Sequence, residues 1–224
     1  MAAPGSRTED WHLRPGGLLT REPEEAGGGP SEYGYDPADP VPTFGGPTLM
    51  APIHGPGARD QRPIEARPDV LTFTSEPLSG DYTVLGAVHA TLFASSSAPD
   101  TDFVARLVDV HPNGLAIGIC DGIIRASARE SYPAPGVVSP TPPSPIEPGG
   151  VYEYSVDLWA TGNTFRAGHR LRVEVTSSSH PRWERNLNTG EGAARSGRSE
   201  VARQAVFHDA GRPSRISLTL VVDG

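Results

Sequence analysis

Residues 95–114 read SSSAPDTDFVARLVDVHPNG and run straight into LAIGICDGIIRASAR over 115–129. Acids, a histidine and three serines stand close enough together to suggest catalysis. The apolar pattern argues otherwise. In DFVARLVDV, Phe103, Ala105 and Leu107 fall on one face, which is the side-chain alternation of an extended strand. A second apolar run follows, and between the two stands HPNG, whose Asn113-Gly114 supplies the positive φ values of a tight hairpin turn. The stretch is therefore strand end, loop, strand and turn. Asp100 and Asp102 are expected to accept backbone N–H groups in the loop, and Arg106 to pair with a neighbouring carboxylate.

The same period continues on both sides. DYTVLGAVHATLF (81–93) alternates and is apolar on both faces, which predicts a central strand. VYEYSVDLW (151–159) turns Tyr152, Tyr154, Val156 and Leu158 inward. After ATGNTFRAG, read as a connection, HRLRVEV (169–175) buries Leu171, Val173 and Val175 and turns Arg170, Arg172 and Glu174 outward. ARQAVFHD and RISLTLVV complete the set, while SYPAPGVVSPTPPSPIEPGG (131–150) is too rich in proline for a ladder and predicts a long crossing loop. The expected fold class is all-β, a jelly-roll β-sandwich of galactose-binding-like type with seven to nine antiparallel strands over 70–224. An extended Pro/Gly-rich segment, 1–69, precedes it and packs on it as part of one domain. That segment carries one strand at Trp11–Leu13 and the apolar anchors Tyr33, Tyr35, Val41, Phe44, Leu49, Met50 and Ile53.

Composition narrows the function. With 26 Gly and 24 Pro in 224 residues the chain favours turns over long helices, and a formal net charge of −8 offers nucleic acid or an anionic membrane nothing to hold. All 19 basic residues are arginine, so Schiff-base and P-loop lysines are excluded. The single cysteine, Cys120, reads as a buried, inert thiol. No leader pattern opens the chain and no apolar run approaches membrane-spanning length, so a cytoplasmic protein is expected.

A search for chemistry returns little. Gly-x-Ser-x-Gly does not occur, and the serines at 95–97 and 177–179 lie at strand ends rather than on a nucleophile elbow. The seven histidines share no metal-ligand spacing, and Asp100, Asp102, Asp109 and Asp121 match no calcium loop. No catalytic residue, cofactor or metal is expected. RWERNLNTG (182–190) offers Trp183, Arg185 and Asn188 as a ligand loop that would hold a sugar by stacking and hydrogen bonds. The competing reading makes Asn186, Asn188 and Gly190 turn caps and Trp183 a domain-edge anchor.

Taken in order, YDPADPVPTFGG, DQRPIEARPDVLTFTSEPL, SSSAPDTDFVARLVDVHPNG, CDGIIRASARES, GHRLRVEVTSSSHPRWERNLNTG and PSRISLTLVV resemble the C-terminal non-catalytic domain of CocE/NonD-type serine hydrolases. That group includes cocaine esterase, α-amino acid ester hydrolase and X-Pro dipeptidyl-peptidase. The resemblance implies a jelly-roll buttress on an α/β-hydrolase domain whose Ser-Asp-His triad, like its helical cap, precedes this chain. The hydrolase partner would be supplied in trans or lost, and a homodimer is left open. The resemblance also nominates Gly45, Gly46, Leu49 and Met50 as pocket wall or interface, although Leu49 and Met50 read equally well as anchors of the N-terminal coil. On this reading the chain exposes an apolar patch larger than the few hundred Å² of an ordinary monomer. An independent carbohydrate-binding or protein-interaction module is the alternative, since one sandwich serves many functions. A decayed remnant without a partner is a third.

Overall fold

The computed structural model describes residues 5–23, 28–48, 55–191 and 197–221. Eleven strands form among them: β1 (Ser6–Arg14), β2 (Leu18–Thr20), β3 (Ser31–Tyr35), β4 (Leu71–Thr74), β5 (Tyr82–Ser96), β6 (Asp102–Val110), β7 (Ala116–Arg125), β8 (Tyr152–Phe165), β9 (Arg170–Thr176), β10 (Ala202–Phe207) and β11 (Arg215–Val221). One helical turn, Arg62–Glu65, is the longest α-helix described. No described helix is long and apolar enough to cross a membrane. The chain is an all-β sandwich.

β5 is the hub of the first sheet. β8 lies along one side of it, while β10 and β11 share the other and lead on to β3 and to β1 with β2. The second sheet is β4-β9-β6-β7, and the two sheets join through a single parallel pair, Leu18 with Thr74. Between them lie Leu92, Phe103, Leu107, Tyr154, Leu158, Phe165, Leu171 and Ile216, all fully buried. Each such side chain contributes about 1.5–3 kcal/mol by leaving water, enough to fix which face of every strand points inward. The β6–β7 hairpin turns at His111–Leu115, where Gly114 takes φ +85° and the His111 N–H donates to Leu115 O at 2.8 Å.

Four local expectations change. β8 runs on to Phe165, because Ala160–Phe165 pair with Tyr82–Ala87 where a connection was expected. The N-terminal strand expected at Trp11–Leu13 covers Ser6–Arg14, since its ladder to β11, rather than apolar content, holds it; β2 and β3 are formed there too. Glu174 does not face solvent: it is 1% exposed. The segment before β4 pairs with the edge strand β7, Gln61 N–H donating to Ala116 O and Gly118 N–H to Arg59 O, and sets Gln61 on Arg106 and Glu65 on Arg172 of the outer face, with Val41, Ile64 and Val70 in a small core of their own. Asp102 takes side chains instead of backbone N–H groups, Arg125 Nε at 2.8 Å and Asn186 Nδ2 at 3.0 Å, whereas Asp100 accepts Ser127 N–H as expected. Leu49, Met50 and Ile53 lie outside the described residues.

Candidate functional site

The site is created by a close crossing. β7 lies on β8 at Gly122, where a Cβ would stand 2.0 Å from Asp157 O. Glycine is the residue that lets the backbones meet there, and the contact leaves a trough between the strands as they diverge. This groove has a volume of about 860 Å³. Its floor is Gly118–Asp121 of β7 and Leu158–Ala160 of β8; its walls are Gly46–Thr48, Pro56–Ala58 and the pair Arg182 and Trp183. A second hollow of about 440 Å³ continues it past Ile123, Tyr132, Val137 and Val138.

Trp159 borders both hollows. Around it the β5–β8 register slips between Ala87 and His89, so Leu158 and Trp159 together oppose Val88. A bulge of this kind re-aims a side chain. Leu158 goes fully into the core and Trp159 turns out, 71% exposed, with φ +67°. Tyr132, Val137 and Val138 are also exposed beside it.

The groove's polar end is tightly paired. Asp121 receives Arg182 Nη1 in a short hydrogen bond and lies 3.6 Å from Arg106. Arg106, fully buried, also binds Glu174 and Gln61 Oε1. The Arg182 guanidinium stacks over Trp183 at 4.1 Å. Burial pushes the Cys120 thiol up to about 12, so it is neutral and unreactive in this wall.

Of the nominated wall residues, Gly45 and Gly46 both take φ +78°, and Gly46 exchanges two backbone hydrogen bonds with Gly57 at 2.8 and 2.9 Å. Gly46 stands at the groove; a Cβ on Gly45 would meet Gly57 O at 2.6 Å. Leu49 and Met50 fall outside the described residues. Trp183, Arg185 and Asn188 do not converge. Trp183 lines the groove, Arg185 Nη1 donates to Pro37 O at 2.8 Å, and Asn188 is fully buried at φ +63° with Nδ2 on Glu200 O. Asn186 acts as a cap, its Oδ1 accepting the Asn188 N–H.

The serine runs are architectural. Ser177 Oγ meets Tyr33 OH at 2.9 Å, Ser178 Oγ accepts Val41 N–H, and Ser97 Oγ accepts Arg203 N–H. Ser31 Oγ lies 3.1 Å from His208 Nε2, but His208 is buried beside Phe73, out of reach of a substrate carbonyl. Sequence reasoning missed Trp159. The available signal was Leu158-Trp159, two large apolar neighbours in an alternating strand, of which one has to face out.

The comparisons with known proteins agree with this picture. The model of the X-Pro dipeptidyl-peptidase C-terminal non-catalytic domain matches residues 2–217. The chain is 47% identical over 191 residues to the cocaine esterase of Rhodococcus sp. (strain MB1 Bresler), which covers 84% of this chain and 32% of that protein. A crystal structure of an aminopeptidase from a marine sediment Thaumarchaeota archaeon superposes with a TM-score of 0.84 at 30% identity, over 95% of this chain and 36% of that one. A selenomethionine-labelled α-amino acid ester hydrolase gives 0.81 at 32% identity, over 94% and 36%. The chain thus spans about a third of the length of each of these relatives.

Proposed function

The chain belongs to the X-Pro dipeptidyl-peptidase C-terminal non-catalytic domain family, found in CocE/NonD hydrolases, and from that premise we propose that it buttresses an α/β-hydrolase domain and helps to shape its substrate pocket. The groove along β7 and β8 is the docking face, and its rim at Gly45 and Gly46 borders the acyl pocket. Substrates are esters or peptides of the kind the relatives' names denote. Catalysis belongs to the hydrolase domain, which holds the nucleophile.

The observation that carries this reading is Trp159, a large apolar side chain held outward on a bulge between two apolar hollows. Leaving a tryptophan in water forgoes roughly 2–3 kcal/mol of burial. A partner surface recovers that energy. The share of the relatives that this chain does not span, close to two thirds, supplies the candidate partner.

Co-expression with the remaining part of the Rhodococcus cocaine esterase, lacking its own C-terminal third, tests it. A co-eluting complex with restored turnover of an activated ester is expected, and Trp159→Asp should remove both. A complex indifferent to that substitution would place docking elsewhere. This chain by itself should show no turnover, and stoichiometric labelling by an organophosphate would overturn its non-catalytic role.

A further inference from the structure

A different end of the second sheet gathers three ligand-type side chains. Asp109 is the penultimate residue of β6, His111 opens the hairpin turn, and His169 precedes β9. Antiparallel pairing of Val110 with Arg170 brings them together although 58 positions separate the two histidines. One ligand atom from each of the three lies within 4.8 Å of the others. We propose that Asp109, His111 and His169 form a site for one divalent transition-metal cation of the Zn²⁺, Co²⁺ or Ni²⁺ type. The proposal is independent of the docking reading.

The spacing suits one ion. Ligands about 2.0–2.2 Å from a common cation lie roughly 3–4 Å from one another. Asp109 Oδ2 stands 3.8 Å from His111 Nε2, a gap that already accommodates it. Asp109 Oδ1 stands 2.8 Å from His169 Nδ1, so His169 gives up that hydrogen bond and binds through Nδ1 after a small side-chain shift. The two imidazole rings stand side by side, centroids 4.3 Å apart and planes tilted by 33°.

Two imidazoles and one carboxylate suit borderline metals, not calcium or magnesium, which take oxygen. The frame is rigid. His111 N–H donates to Leu115 O, His169 N–H to Arg166 O, and His169 O accepts Leu78 N–H. Neighbouring cations are engaged elsewhere, Arg170 on Ser75 O and Arg166 on Asp81. The His111 side chain is 32% exposed, which gives the ion a route in from solvent. A bound ion would clamp the β6–β7 turn to the start of β9.

The test is titration of the EDTA-dialysed chain with Co²⁺, followed by visible absorption and thermal unfolding. One Co²⁺ per chain is expected, with nitrogen and oxygen ligand bands. Tm should rise by about 5–10 °C when free metal is a hundred times Kd. His111→Ala and His169→Ala should each weaken binding more than about tenfold. His111→Ala, a partly exposed side chain at the start of the turn, should keep the metal-free Tm, which separates lost ligation from lost folding; Asp109→Asn should repeat the loss. Absence of the cobalt bands, or bands unchanged in both histidine variants, would overturn the site.

Discussion

Asp157 Oδ1 accepts the backbone N–H of Trp159 at 2.8 Å, and that bond holds an exposed tryptophan in left-handed backbone. Such a conformation costs on the order of 1–2 kcal/mol at a bulky residue. The short side-chain bond offsets part of that cost without burying the ring. Strain maintained to keep an apolar group in water makes sense for a contact residue.

Trp159→Gly separates the two roles. Glycine adopts φ +67° freely, so stability should change by no more than about 1 kcal/mol. Docking to a hydrolase domain should be lost. Urea unfolding and co-elution measure the two; a destabilisation above about 2 kcal/mol would show that the ring supports the isolated fold.

Gly122 fixes the crossing that opens the groove. Gly122→Ala drives a Cβ into backbone, at 2.0 Å from Asp157 O, and should cost more than about 2 kcal/mol. Gly162→Ala is the control, since its Cβ meets only the flexible Leu85 Cδ1 at 3.3 Å, and should cost under about 1 kcal/mol. Equal midpoints in urea for the two variants would refute the argument.

The strands were legible where alternation was strict. Phe103, Ala105 and Leu107 against the Asn113-Gly114 turn specified the hairpin, and Tyr154, Val156 and Leu158 specified most of β8. Only Trp11–Leu13 of β1 was legible, because those two are its only inward apolar residues, and the ladder to β11 that extends it to Ser6–Arg14 carries no periodic mark. Glu174 was misplaced for a related reason: alternation gives the face a side chain takes, not whether a distant segment covers that face. The groove needed Gly122 beside Asp157, and the metal-ligand cluster needed His111 beside His169. Both are long-range approaches with no local spacing.

Cys120 should be silent in the native chain. Its thiol, pushed up to about 12 by burial, holds almost no thiolate at pH 8. Labelling by a disulfide reagent should run at least about 100-fold slower than in urea, where an ordinary thiol near 8.5 is exposed. Comparable rates in the two conditions would show that its surroundings in the groove wall do not suppress the half-buried thiol.

Glu174 sets a pH dependence of unusual sign. Burial first, and then the nearby Glu65 carboxyl, push it up to about 7 against the pull of Arg106. Glu174 Oε1 is buried without a hydrogen-bond partner among the described residues. Between an ordinary carboxylate value near 4.5 and about 7, the folded chain keeps a proton that the unfolded chain has released. Stability from this group is therefore fully present below about 4.5 and declines as pH rises to 7. Glu174→Gln removes the titration but leaves Arg106 to Asp121 and Gln61. The stability of the natural chain relative to Glu174→Gln should fall by on the order of 1–3 kcal/mol from pH 4.5 to pH 8. Urea unfolding of both chains across that range measures it. A difference that stays flat, or grows with pH, would mean that Glu174 is ionised in the fold and fully matched by Arg106.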